Sequence, residues 1–242
     1  MTARVVCWFS CGAASAYAAY LAKQEFKDVE IVYCKVVEEH PDSWRFLKDF
    51  EQFIGQPITV IGDTNMNCSI YDVFTSRKFI KGPQGAPCTM VLKKWQRQAF
   101  QRPDDIQVFG YTSEEGKRVD RFIDGNAEVD ARFPLVEHDA TKKDCLQWLV
   151  DNNLTLPIMY QLGYQNNNCI GCVKGGMGYW NAIRKDFPDA FVRMANMERV
   201  LGHAINKDEK GPIFLDELAP DRGNFKRDQP PACGFTCELE KD

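Results

Sequence analysis

The stretch RVVCWFSCGAASAYAAYLAK, residues 4–23, decides the fold. Its first part, Arg4–Phe9, is a short apolar run and reads as a buried strand. Ser10–Ser15 makes a turn of small residues, and an alanine-rich helix is expected over about Ala13–Lys23. The small side chains allow that helix to lie close on a sheet. Strand, tight turn and helix in this order form a phosphate-binding geometry, because N–H groups at a helix N-terminus point at an anion and the helix dipole favours it. Ser10 and Ser15 add hydroxyl donors, and small residues such as Gly12 let the backbone approach. The same residues also suit a plain strand-to-helix turn without a ligand. No Gly-Lys-Ser/Thr follows, so this is not a Walker loop, and the chain has no GxGxxG.

Working outward, Val29–Val37 (VEIVYCKVV) and Pro57–Gly62 (PITVIG) read as a second and third strand, with a helix between them capped by Ser43 and running through Gln52. Ile106–Tyr111 reads as a fourth strand. Pro134–Glu137 reads as a short extended piece leading into a capped helix over Thr141–Asn152. Strands alternating with helices imply an α/β fold, a mostly parallel sheet with helices on both faces. Two regions break the rhythm. Asp63–Pro87 reads as a long loop or small subdomain. Past Pro157 come an Asn run (Asn166–Asn168), a CxxC, a Gly pair, one amphipathic helix over Tyr179–Phe187 and a Pro-rich tail. With no repeat and no linker, one domain is expected over 1–242, its core about 1–165 and an irregular cysteine-bearing extension about 166–242.

The chain has 242 residues, 44% hydrophobic and 26% charged, which excludes pervasive disorder, collagen and coiled coil. No stretch approaches the roughly 18 apolar residues of a membrane-spanning helix. The N-terminus lacks the pattern of a signal peptide, so a cytoplasmic location is expected. With a net charge of −4 there is no basic stripe, only local clusters such as Lys93, Lys94 and Arg97. A role on nucleic acid would then need a partner that holds the strand, or a small local patch.

Ten cysteines are many for a cytosolic chain, where disulfides are rare and paired cysteines point to metal or redox chemistry. Cys7, Cys34 and Cys145 fall in apolar, periodic segments and read as core filler. Cys88, Cys169, Cys172, Cys233 and Cys237 sit beside Pro, Gly or Asn. Cys169 and Cys172 form a CxxC, able to share one metal or one cluster. A structural zinc and a redox pair fit the same spacing. Arg118 and Arg121 lie three apart, on one helix face, and with Lys117 suit phosphate oxygens. The interleaved Glu114, Glu115 and Asp120 suit a solvated charged turn equally.

Four segments together resemble the adenine-nucleotide alpha-hydrolase superfamily of PP-loop ATP pyrophosphatases and PAPS reductases. SCGAASA (Ser10–Ala16) resembles its SGGxDS loop. Glu38-Glu39-His40-Pro41-Asp42 stands where relatives carry an acidic turn. GYTSEEGKRVDRF (Gly110–Phe122) is similar to GxRxxESxxR, and Pro134–Cys172 to the reductases' PLxxWTxxDVWxYIxxxxLPxxPLYxxGYxSxGCxxC. The resemblance implies a nucleotide at the C-terminal edge of the sheet, held by Ser10, Cys11, Gly12, Ala13, Ala14, Ser15 and Ala16 with Glu38, Glu39 and Gly110. Ser10, Ser15, Arg118 and Arg121 would act on its phosphates. Ala14 replaces the family's Asp, so magnesium would lean on Glu38 or Glu39. A [4Fe–4S] cluster is implied on Cys88, Cys169 and Cys172, with Cys233 or Cys237 as fourth ligand or an open iron. Thr89 replaces the second Cys of the reductases' CC pair, and the tail around Cys233 only partly resembles their ECGLH segment.

Within the superfamily the chain most resembles the pyrophosphatase subunit of DNA phosphorothioation systems. The resemblance implies splitting of ATP to AMP and pyrophosphate, activation of nucleic acid, first of all DNA, for sulfur insertion, a cysteine desulfurase as sulfur donor and a DNA-handling partner subunit. Its alternatives are a sulfonucleotide reductase, a tRNA thiolase and a non-enzymatic nucleotide binder with a structural metal.

Overall fold

A computed structural model describes residues 3–83 and 85–234. In chain order the elements are β1 (Val5–Phe9), α1 (Ala13–Glu25), β2 (Val29–Cys34), α2 (Asp42–Ile54), β3 (Thr59–Ile61), α3 (Ile70–Arg77) and a one-turn α4 (Pro87–Thr89). A π-helical turn, Met90–Lys94, leads from α4 into α5 (Trp95–Phe100). There follow β4 (Ile106–Phe109), α6 (Gly116–Asp124), β5 (Asp130–Arg132), α7 (Pro134–Glu137), α8 (Lys142–Asp151) and α9 (Ile158–Gln161). Last come α10 (Met177–Asp186), α11 (Pro188–Leu201), β6 (Asn206–Asp208) and β7 (Gly211–Ile213).

The chain packs as two compact units. Among the described residues the first takes 3–35, Pro41–Gly62 and Gln96–Leu162; the second takes Val36–His40, 63–95 and 163–234. The extension expected from about residue 166 is thus part of a unit that also draws in 36–40 and 63–95.

The first unit holds a five-stranded sheet in the order β3-β2-β1-β4-β5, with all neighbours parallel. This is the α/β fold expected, and helices cover both faces. On one face Val5, Cys7 and Phe9 pack with the alanines of α1, with Phe46 and Phe50 of α2, and with Cys145 and Leu149 of α8. The Phe9 and Phe50 rings stack at 5.0 Å. On the other face Trp8 meets Phe100 of α5, and Phe109 meets Phe122 of α6 at 4.4 Å. Each buried Val, Leu or Phe among these contributes about 1.5–3 kcal/mol.

Several local expectations are corrected. Ser43 is not the cap of α2: Asp42 opens that helix, and its carboxylate takes the Ile158 N–H at 2.9 Å. Pro134–Glu137 is a helical turn, since a proline at the first position is preset for helix. Residues 63–87 contain α3, capped by the Ser69 hydroxyl. The basic cluster is largely interior: Lys93 is 5% exposed and Arg97 fully buried. The Arg97 guanidinium donates to Gln101 Oε1 (2.9 Å), Gln107 Oε1 (3.3 Å) and Asn126 Oδ1 (2.7 Å), an amide cage without a carboxylate.

In the second unit α10 and α11 pack around Trp180, Ile183 and Met194, all fully buried. The buried Glu198 carboxylate ties α11 to the segments around β6 and β7, accepting the N–H groups of Ile205 (2.5 Å) and Leu215 (2.6 Å). Both oxygens face donors, so Glu198→Gln would set an amide NH₂ against an N–H and is expected to cost about 1–3 kcal/mol. Burial pushes this carboxyl up to about 7, although the two N–H groups pull it down. A folded-state value above the ordinary 4.5 means that the folded protein takes up a proton. Stability should therefore fall as pH rises from about 4.5 to about 7. Denaturant midpoints across that range should show this slope in the wild type and not in Glu198→Gln.

Candidate functional site

The sheet order places a reversal at β1. The chain moves outward through β2 and β3, then returns to the far side of β1 for β4. Ligands of open parallel sheets bind beyond the strands' C-terminal ends at such a reversal. The turn after β1 and Gly110 after β4 both lie there.

Within the turn, Ser15 is the organiser. Its hydroxyl accepts the N–H groups of Ser10 (3.0 Å) and Gly12 (3.4 Å) and donates to the Gly12 carbonyl (2.9 Å). Ser10 Oγ lies 3.1 Å from Ser15 Oγ. Cys11, fully buried, adopts φ 54°, a left-handed conformation that usually calls for glycine. Ala13, Ala14 and Ala16 form the first turn of α1 and are buried. Gly110 is required by contact: a β-carbon there would stand 2.8 Å from both N and Cα of Ser15.

Two side chains that sequence reasoning missed complete this corner. Tyr160 Oη accepts the Ala13 N–H at 3.1 Å, and Lys142 Nζ lies 3.3 Å from the same oxygen. A β-carbon on Gly12 would meet that hydroxyl at 3.1 Å. Lys142 carried one signal. It opens α8, where a cation opposes the helix dipole, so a reason other than helix stability is needed for it.

The other first-unit candidates are engaged locally. Arg118 pairs with Glu115 and stands 4.6 Å from the Tyr111 ring. Arg121 is half-buried on the same helix and makes no ion pair among the described residues.

Glu38 and Glu39 belong to the second unit. Glu38 caps α3, accepting Ser69 Oγ–H (2.7 Å) and the Ile70 N–H (2.9 Å). Glu39 is buried and pairs with Lys93 at 3.3 Å. Both carboxylates are thereby occupied by protein donors, a poor fit to magnesium, and no magnesium ligand is assigned to them.

The CxxC lies in the second unit. Its loop is held by Tyr179, whose hydroxyl accepts the Cys172 N–H at 2.9 Å and lies 3.4 Å from the Cys169 carbonyl. Cys169 also bridges to Glu39 through the backbone. The asparagine run clamps the tail: Asn166 Nδ2 donates to the Pro230 carbonyl (3.1 Å), Asn168 Nδ2 to that of Pro231 (2.9 Å), and the Cys233 N–H donates to Asn168 Oδ1 (3.0 Å). Cys169, Cys172 and Cys233 come within electrostatic range of one another. Burial, helped by Glu39 and the neighbouring thiols, holds the Cys169 thiol well above its ordinary value, and burial pushes Cys172 up to about 11. Cys88 is half-buried on α4. Among the described residues no group of three or more His, Cys, Asp or Glu is arranged to hold a metal ion. The donor set does not close around a cluster there, and Cys237 lies outside the described residues. Cys7, Cys34 and Cys145 are buried, as core residues should be.

No family model matches the chain. It is 28% identical over 196 residues to an uncharacterized nin region protein, ORF290, of Escherichia phage lambda, a span of 69% of this chain and 64% of that protein. The chain therefore matches less than two thirds of the relative's length. It is also similar to the solved U34-tRNA thiolase NcsA from Methanococcus maripaludis with its [4Fe–4S] cluster. That likeness has a TM-score of 0.42 at 14% identity, over 86% of this chain and 74% of the other.

The close approach at residue 110 makes a direct prediction. Gly110→Ala must push the first turn of α1 away, so a folded variant should bind a non-hydrolysable ATP analogue at least tenfold more weakly in calorimetric titration. Unchanged affinity would separate the turn from nucleotide binding.

Proposed function

We propose that the chain is a PP-loop-type enzyme that uses ATP to activate nucleic acid for sulfur insertion. The observation that carries this reading is the Ser10–Ser15 turn at the β1/β4 reversal, with its helix N-terminus and the lysine and phenol beside it. An anion seated on α1 would meet main-chain donors and Lys142, while Arg118 and Arg121 would contact further phosphate oxygens. The acceptor oxygen would attack the α-phosphorus of ATP and pyrophosphate would leave. The outer sulfur of a persulfide would then displace AMP together with that oxygen, forming a disulfide between acceptor and carrier, and a second thiol would attack the carrier sulfur, supplying the two electrons that release the thiolated acceptor. A cysteine desulfurase would supply the sulfur. The acceptor in this reading is DNA, presented by a partner subunit; transfer RNA is the alternative acceptor, and the ATP chemistry is the same for both.

Cys88, Cys169, Cys172 and Cys233 are the proposed ligands of an iron–sulfur cluster, which when bound would supply a site for sulfur close to the thiols. Cys169 and Cys172, buried and within electrostatic range of Cys233, support this, and no step above depends on it.

Protein purified without oxygen and given ATP, magnesium, acceptor DNA and a persulfide donor should release AMP and pyrophosphate in equal amounts, and Gly12→Val should abolish the release. Arg118→Ala and Arg121→Ala should each weaken binding of the ATP analogue by about 1.5–3 kcal/mol, the worth of one charge-assisted contact. Formation of sulfite from adenylyl sulfate, with no pyrophosphate from ATP, would replace this reading by a sulfonucleotide reductase.

Serine at Cys88, Cys169 or Cys172 should cost the protein its iron and labile sulfide, while serine at Cys7, Cys34 or Cys145 should not. Stoichiometric zinc without iron in anaerobically purified protein would leave a structural site instead.

A further inference from the structure

Residues 73–103 contain seven Lys and Arg and not one Asp or Glu, in a chain whose net charge is −4. Part of this charge is interior, in Lys93 and Arg97. Another part is presented by the second unit. Arg77 and Lys78 end α3 and are exposed, and Lys94 is half-buried at the end of the π-helical turn. None of these three makes an ion pair among the described residues. Beside them Trp95 is 41% exposed and Met90 45% exposed, high values for large apolar side chains. The Arg77 guanidinium lies over the Trp95 ring, 5.0 Å from its centroid. A π-helical turn is an uncommon local structure that recurs at functional sites, and here it immediately precedes the exposed indole.

From this juxtaposition we infer that Arg77, Lys78, Lys94, Trp95 and Met90 form a docking face for an unpaired stretch of nucleic acid. The occupant follows from complementarity. Unpaired cations attract phosphates, and the absence of carboxylates over 31 residues means that the segment adds no repulsion of its own. An indole and a guanidinium plane stack on bases of any sequence, and only bases that are not paired can lie on them. A duplex would use the cations and leave the indole idle. The face rests on the reading that the substrate is nucleic acid, and it supplies the small local patch that such a substrate needs in the absence of a basic stripe.

The test uses the full-length protein and fluorescein-labelled 20-nucleotide single strands of mixed sequence, as DNA and as RNA, with the matching duplex as a further probe. Anisotropy titrations at several salt concentrations give affinity and salt slope. Wild type should bind single strands of either sugar more tightly than duplex. Trp95→Ala should weaken single-strand binding at least fivefold, and Trp95→Phe should restore most of it. Arg77→Glu with Lys78→Glu should weaken binding more than tenfold and lower the salt slope, whereas Lys27→Glu, an exposed cation of the first unit, should change neither by more than twofold. Unchanged melting temperatures establish that the variants fold. Wild-type binding that none of these substitutions alters would overturn the face and leave the nucleic-acid reading standing. Loss on charge reversal alone, with Trp95→Ala unaffected, would overturn stacking as the mode. No single-strand binding by the wild type would overturn the face, whereas an acceptor presented by a partner subunit stands or falls with the release of AMP and pyrophosphate.

Discussion

The end of β4 touches the start of α1 backbone to backbone. Residue 110 stands so close to the main chain of Ser15 that no side chain fits between them. This contact fixes where α1 begins and how far its first turn stands from the sheet. The alanines of the helix serve the same closeness along its length, since Ala16, Ala18, Ala19 and Ala22 are buried where larger side chains would lift it away. Ser15 then folds its hydroxyl back over the turn, and the strained Cys11 is carried in a geometry that the flanking strand and helix impose. The geometry of this turn follows from tight helix–sheet packing at β1, where the sheet order reverses.

The second unit is organised by a different means. Beyond α10 and α11 its elements are short, and polar side chains gripping main chain do much of the joining. Tyr179 holds the CxxC loop, Glu38 caps a helix distant in sequence, and Glu198 holds two separate segments. The thiols lie in surroundings that disfavour their charge, opposed by Lys93 at Cys169 and by Lys174 and then Lys81 at Cys172. Burial brings the Lys81 ammonium itself down to about 8. Thiols held protonated in this way are poor nucleophiles unless a positive charge compensates them.

The elements legible in the sequence were those with strong local signals. β1 announced itself as an apolar run and α1 as a string of alanines, and the Thr141 cap marked the start of α8. β5 gave no signal because Asp130-Ala131-Arg132 is a short, polar edge strand whose pairing depends on β4. α11 was hidden by its opening proline, which reads as a breaker until it is placed at the first helical position. The interior position of Arg97 was beyond sequence reasoning, since its partners are neutral amides, two of them on other elements, and no carboxylate marks them. In the candidate site the turn itself was readable, whereas Tyr160 and Lys142 lie far along the chain and meet it only through folding. Glu38 and Glu39 were singled out as acidic residues after a strand, and nothing local shows that a helix cap and a lysine engage them.

The tail offers one more consequence. Asp228 is fixed at one end, where its carboxylate accepts the N–H groups of Gly178 and Asn224, and Cys233 is fixed at the other by Asn168. Between them the asparagine amides grip only carbonyls, and prolines at 230 and 231 have no N–H to offer. Such a strap is sensitive to the number of its residues. One residue more or fewer would displace the cysteine by about 3.3–3.6 Å along its path, more than a hydrogen bond can absorb. The segment works as a ruler read off by its main chain, steadied by the Gln229 side chain, which accepts the Gln165 N–H (3.4 Å) and donates to the Phe225 carbonyl (3.1 Å).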